Sequence, residues 1–163
     1  MKRFCGMLCA SLIVLSVLCI FSYSHAADVI KVGIVDTYTG PATTFTNDVL
    51  DGFKLAVTKI NAQGGILGKK IEYTTRDEKF KPDIGLAMAK ELILKEKVDI
   101  LMGTINSATT LAISDFVKKE KVPFFVTFAK SEKIVGEKGH RYHLAVPHAL
   151  RETLQLRDQV RYS

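Results

Sequence analysis

Apolar and polar positions along this chain switch repeatedly between two periods, and the switching marks out a strand–helix order. Ile30-Lys31-Val32-Gly33-Ile34-Val35-Asp36 is a short, β-branched and mostly apolar run closed by the turn Thr39-Gly40-Pro41. Such a run predicts a buried strand. Thr46, Asn47 or Asp48 can cap the helix after it. Val49, Phe53, Val57 and Ile60, with Leu50 and Ala56, fall on one face of it. Gly64-Gly65 ends it, as a left-handed cap requires. Ile71 to Thr75 predicts a second strand, ending in Arg76-Asp77. Pro82 suits the first turn of the next helix, which turns Met88, Ala89, Leu92 and Ile93 inward. Val98 to Met102 predicts a third strand stopped by Gly103, and Ser107 starts a third helix with Ala112, Ile113, Phe116 and Val117 inward. Pro123 to Val126 predicts a fourth strand, Tyr142 to Val146 a fifth, followed by a weakly patterned helical tail. Strand–helix units at this spacing imply an α/β fold with a mostly parallel, doubly wound sheet covered by helices on both faces.

The first 26 residues stand apart from this pattern. Lys2 and Arg3 open the chain, an apolar run extends from Leu12 to Phe21, and Ser24 and Ala26 place small residues before a cut after Ala26. This is the layout of a cleaved secretory signal peptide, which implies a periplasmic destination. An uncleaved anchor is the alternative, against which the apolar core is short for a bilayer span. A lipoprotein signal at Cys19 is another, but Leu18 stands where that cut needs a small residue. Cys5, Cys9 and Cys19 all fall in this leader, so a disulfide-stapled mature fold is excluded. Without Lys2 and Arg3 the chain carries 21 basic and 17 acidic residues, with the lysines spread along helical faces. A nucleic-acid surface would need them clustered, and none is expected.

Several motifs invite a chemical reading and fail it. Gly64 to Lys70 is glycine-rich and basic, but Gly68-Lys69 is followed by Lys70 and the segment comes after a helix instead of before one. A phosphate loop needs the reverse. His140, His143 and His148 lack Cys or acidic partners at ligand spacing, so they read as solvated loop residues and no metal or cofactor is expected. Asp77-Glu78 has no nucleophile or histidine to work with and reads as a surface turn. No set of nucleophile, base and orienting group is present, so an enzyme is not expected.

Ordered motifs then give the chain a family likeness. Gly40-Pro41, Gly52, Leu55-Ala56 and Ile60-Asn61-Ala62-Gln63-Gly64-Gly65-Ile66-Leu67-Gly68 resemble the opening of the leucine/isoleucine/valine-binding proteins, the type I periplasmic solute-binding components of ABC transporters. Asp77, Pro82, Leu92-Ile93, Gly103, Ser107, Ser114 and Val122-Pro123 continue the match, over roughly Ile30 to Pro147. Thr46 stands where the family often has Gly, and Glu78 supplies its second acidic residue after the second strand. Thr127-Phe128-Ala129-Lys130-Ser131 replaces the usual Pro-Ser-Ala-Thr, a departure that bears on ligand specificity.

The loop Gly103 to Thr110 lies where a strand end meets a helix start, the edge at which open α/β sheets bind ligands. Free N–H groups at a helix N-terminus suit a carboxylate. The resemblance implies that Ser107, with Asn106, helps hold the carboxylate of an amino acid, while Ser107 as a plain helix cap is the alternative. It also implies that Ala129 and Ser131 supply a backbone group and a hydroxyl, with Phe128 and Lys130 competing for these places. Phe45 matches an aromatic position that touches the ligand side chain, or else is a core aromatic. The resemblance further implies a monomeric binding protein that captures branched-chain or related amino acids and hands them to a membrane permease. A ligand-sensing receptor domain of the same fold is the alternative. The expected organisation is a leader over 1–26, the N-terminal lobe over 27–147, and over 148–163 the start of a second lobe or a helical tail. On this reading the chain is an N-terminal fragment without its second lobe, and it binds its ligand weakly by itself.

Overall fold

The computed structural model describes residues 29–40 and 42–145; the expected leader, Val146 and the tail with His148 lie outside them. The chain runs β1 (Ile30–Asp36), α1 (Thr43–Ala62), β2 (Ile71–Asp77), α2 (Pro82–Leu94), β3 (Ile100–Gly103), α3 (Ser107–Glu120), β4 (Phe124–Val126), a 3-10 turn (Glu132–Ile134) and β5 (His143–Ala145). All strand pairs are parallel, in the order β2-β1-β3-β4-β5.

Alternation along each strand sends side chains to two cores. Val35, Leu101, Phe124 and Val126 point to one face, where Ala89, Leu92 and Ile93 of α2 and Ile113 and Val117 of α3 cover them. Val32, Ile34 and Ile71 point to the other, beneath Leu50, Phe53, Val57 and Ile60 of α1. Phe53 meets Tyr73 of β2 edge to face, with ring centroids 5.5 Å apart. Because α1 reaches only the β1–β2 half, Phe125 of β4 stays 42% exposed and Leu144 of β5 45% exposed. The inward positions anticipated on α2 and α3 are buried or half-buried, whereas Ala56 on α1 is exposed.

Helix ends follow local chemistry with one correction. The cap expected at Thr46, Asn47 or Asp48 is not there. The helix begins at Thr43, with Ala42 in the cap position and no side-chain cap. Thr43 N–H bonds back to Gly40 O, so the glycine turn itself starts the helix. Thr46 is buried inside the first turn, where its hydroxyl donates to Thr37 O. Pro82 occupies the first turn of α2, and β3 begins at Ile100, two residues later than the pattern implied.

Two further expectations are overturned. Glu78 is not on a surface turn but fully buried at the end of β2. Its backbone N–H donates to Asp36 O at 2.9 Å, which draws the residue in beside β1. Nor are His140 and His143 solvated. Both half-buried rings reach Ser114 Oγ, at 3.2 and 3.4 Å, on the inner side of α3. His140 Nδ1 accepts from Tyr142 N–H, so its Nε2 carries the proton and donates to Ser114 O at 3.0 Å. A Lys138–Asp115 ion pair of 2.9 Å adds to this attachment of the β5 approach.

Candidate functional site

The sheet order places a crevice at the C-terminal ends of β1 and β3. From β1 the chain departs to α1 on one face, and from β3 to α3 on the other. The loops therefore diverge, and that divergence is where open α/β sheets accept ligands. Three segments form the rim: residues 37–40 after β1, Thr104 to Asn106 after β3, and Thr127 to Ser131 after β4.

Asp36, only 3% exposed, pins them together. Its Oδ1 accepts from Thr37 N–H and Ile105 N–H at 2.9 Å each, and its Oδ2 from the Thr127 hydroxyl at 3.4 Å. Burial pushes the carboxyl above its ordinary pKa, and these three bonds hold it back. Beside it, Thr37 donates its hydroxyl to Glu78 Oε1 at 2.9 Å. Burial lifts Glu78 to a pKa of about 7, helped by the charges of Asp36 and Asp77 and opposed by Thr109 and Thr37. Asp77 fixes the first loop by accepting from Tyr38 N–H, Thr39 Oγ1 and Lys79 N–H at 2.8–3.0 Å.

Two glycines make this compactness possible. A Cβ on Gly103 would stand 1.9 Å from Val35 O, and its φ of +126° suits glycine alone. One on Gly85 would lie 2.3 Å from Thr109 Cγ2 and 2.8 Å from Glu78 Oε2. Only glycine lets α2 approach α3 over the buried carboxyl.

The anticipated site residues fall around this rim. Asn106, not Ser107, caps α3: its Oδ1 accepts from Ala108 N–H at 2.9 Å, and its Nδ2 donates to Phe80 O at 3.1 Å. The plain capping role open to Ser107 is thus taken by its neighbour. Ser107 is the first residue of the helix, and its Oγ accepts from Lys130 N–H and Ser131 N–H at 3.2 and 3.3 Å. Its own hydroxyl proton remains to be given. Ala129 N–H donates to Thr104 O, which leaves its carbonyl as the group to offer. Phe45, in the first turn of α1, is 54% exposed and meets Phe128 with centroids 5.8 Å apart at 43°. Lys130 Nζ lies 6.0 Å from the centre of the Phe128 ring. All five anticipated residues therefore sit around one crevice. Sequence reasoning missed Asp36, Thr37 and Thr127, although a charge ending a buried strand is itself a signal.

Among the described residues no cluster of three or more His, Cys, Asp or Glu is arranged to hold a metal ion. No helix among them is long and apolar enough to cross a membrane.

Fold and crevice together define a parallel α/β lobe with its loops diverging at the C-terminal sheet edge. The profile of the periplasmic binding protein family matches residues 29–152, and the chain belongs to that family. It is 30% identical over 139 residues to Leu/Ile/Val-binding protein homolog 7 of Brucella suis, covering 85% of this chain and 35% of that one. To the leucine-, isoleucine-, valine-, threonine- and alanine-binding protein of Pseudomonas aeruginosa it is 28% identical, covering 71% and 31%. Solved structures agree. A solute-binding protein of an ABC transporter from Rhodopseudomonas palustris, in complex with 3,4-dihydroxybenzoic acid, superposes with a TM-score of 0.66 at 29% identity, over 72% of this chain and 31% of that one. A branched-chain amino acid transporter substrate-binding protein from Streptococcus pneumoniae, in complex with isoleucine, gives 0.64 at 28% identity, over 68% and 32%. The chain spans about a third of the length of the curated relatives it matches.

Proposed function

We propose that this chain forms one lobe of an extracytoplasmic solute-binding component of an ABC transporter, which captures a small carboxylate and delivers it to a membrane permease. Branched-chain and related amino acids belong to that ligand class. So do the benzene carboxylates named for the Rhodopseudomonas proteins, and isoleucine shares with them only the carboxylate. The periplasmic location of the family and the leader expected over residues 1–26 are in keeping with capture outside the cytoplasm. The reading is of a binding protein, not an enzyme.

The observation that carries it is the hydroxyl of Ser107. Two backbone N–H groups fill its acceptor side, so its proton is the group it has to give to a ligand. It sits on the first residue of α3, where the helix dipole favours negative charge. Ser131 borders the same point through its N–H bond to Ser107 Oγ, and Asn106 contributes through the cap that sets the helix end. The Ala129 carbonyl, an acceptor, suits an ammonium and not the carboxylate. The test is calorimetry on the complete mature protein that contains this chain, with leucine, isoleucine and benzoate as probes. Losing one hydrogen bond to a charged group costs about 1.5–3 kcal/mol. Ser107→Ala is therefore expected to weaken whichever probe binds by roughly ten- to a hundredfold. Unchanged affinity would show that the hydroxyl serves only to hold Lys130 and Ser131 in place.

A further inference from the structure

We infer that Glu78 is a positioning residue for the crevice: while neutral it leaves the positive end of α3 to a ligand carboxylate, and once ionised it holds that end itself. The inference rests on the carboxylate reading of Ser107 and adds that solute and proton bind together.

Three observations carry it. First, Glu78 lies against the helix turn that bears the carboxylate contact. Ser107, Ala108 and Thr109 open α3. A Cβ on Gly85 would touch Thr109 Cγ2 and Glu78 Oε2 alike, so both side chains close on one spot of α2. The positive end of the helix dipole is confined to that turn, and any anion beside it draws on the same field. Second, the carboxyl is only half satisfied. It is fully buried, its Oε1 accepts from the Thr37 hydroxyl at 2.9 Å, and its Oε2 has no hydrogen-bond partner. The Thr109 hydroxyl oxygen is buried and unbonded as well. A neutral acid bears an unbonded buried oxygen at far lower cost than an anion does. Asp36 shows the contrast, with two N–H groups and a hydroxyl on its oxygens. Third, the charges that act on Glu78 are negative, Asp36 from β1 and Asp77 from its own strand. Gly85 of α2 and Thr109 of α3 do not titrate, and Lys79 on the following loop acts on Asp77 instead.

The coupling has a definite sign. A ligand carboxylate at Ser107 adds a negative charge to this turn, so it favours the protonated Glu78. By reciprocity the proton favours the ligand. Burial and the neighbouring carboxylates lift Glu78 to a pKa of about 7. Affinity is therefore full below that pH and falls as pH rises through it. A Glu78 that served the fold alone would change stability with pH and leave affinity unmoved.

The experiment is calorimetry on the complete mature protein with leucine, isoleucine and benzoate, at pH 6 and pH 8. At pH 7 it is repeated in two buffers of different ionisation enthalpy, which counts the protons taken up. Whichever probe binds is expected to do so about three- to tenfold more tightly at pH 6 than at pH 8. Its binding at pH 7 is expected to take up a fraction of a proton, about half at most. Glu78→Gln is expected to flatten the pH profile to within about twofold and to abolish the uptake. Proton uptake is read on the parent and does not depend on how the variant folds. Equal affinity at both pH values without uptake, or uptake that persists in Glu78→Gln, would overturn the inference and leave the carboxylate reading standing. Failure of every probe to bind at either pH would overturn both.

Discussion

At the scale of single residues, the crevice is organised by buried carboxyl groups. Asp36 joins the ends of β1, β3 and β4, and Glu78 closes the gap beneath them. Glu78 has a measurable signature. Its pKa rises from the 4.5 of an ordinary glutamate to about 7, first because burial disfavours the charged form. Between those values the folded protein holds a proton that the unfolded chain has released. Stability from this group is therefore full below about pH 4.5 and is lost as pH rises through 7. Glu78→Gln keeps the neutral shape and cannot ionise. At pH 8 it is expected to be more stable than the parent by on the order of 2 kcal/mol, and at pH 5 to be nearly equal to it. Denaturant melts of both proteins at the two pH values check this, and a difference that does not change with pH would count against a buried, ionising Glu78. The sequence could not disclose these roles. The bonds of Asp36 to Ile105 and Thr127 cross 69 and 91 positions along the chain, and nothing local marks such partners.

At the scale of elements, the period of the apolar residues was enough to find the five strands and three α-helices among the described residues, though not the 3-10 turn at Glu132–Ile134. The ends were less legible. The start of α1 is set by a glycine turn and a buried threonine, not by the polar cap that propensity favours, and only the packed structure reveals which threonine is inside. The candidate site was legible in part for the same reason. Ser107 comes soon after a strand end and begins a helix, a local signal, whereas its bonding to Lys130 and Ser131 depends on β4 lying beside β3. The segment leading to β5 was misread as solvated because its histidines find partners only across the fold. His143 stacks on Phe124 with centroids 5.4 Å apart and planes 19° from parallel. Its Nε2 is buried without a partner. Burial lowers its pKa below 6.5, the neighbouring His140 lowers it further, and the Lys138 backbone opposes them. Below about pH 6.5 the unfolded chain takes up this proton before the folded one does, so stability is lost as pH falls. Asp115 and Lys118 on α3 complete the charges around this cluster. His143→Phe keeps a ring against Phe124 and cannot titrate. Its stability is expected to fall less than that of the parent between pH 7 and pH 5, read by thermal melts at each pH. An equal fall in both would assign the acid sensitivity to other groups.

At the scale of the whole molecule, the two faces of the sheet are unequally covered. The register aligns Ile34, Met102, Phe125 and Leu144 across neighbouring strands β1, β3, β4 and β5. Exposure climbs along that row, from 2% at Ile34 beneath α1 to 42% at Phe125 and 45% at Leu144. On the opposite face the same strands are sealed by α2 and α3. Beyond β5 no strand pairs among the described residues, so β5 is an edge strand among them. A contiguous apolar strip beside an open strand edge favours association and dye binding. Residues 27–163 produced alone are therefore expected to bind a hydrophobic fluorophore at pH 7 and to sediment as concentration-dependent oligomers. Phe125→Gln with Leu144→Gln polarises the strip, and both side chains are already near half exposed, so the cores keep their packing. The double variant is expected to bind several-fold less dye and to shift toward monomer. A parent chain that stays monomeric and dye-free at high concentration would mean that this strip is covered in solution. An unchanged double variant would place the adhesive surface on the β5 edge instead, where the backbone and not the side chains makes the contact.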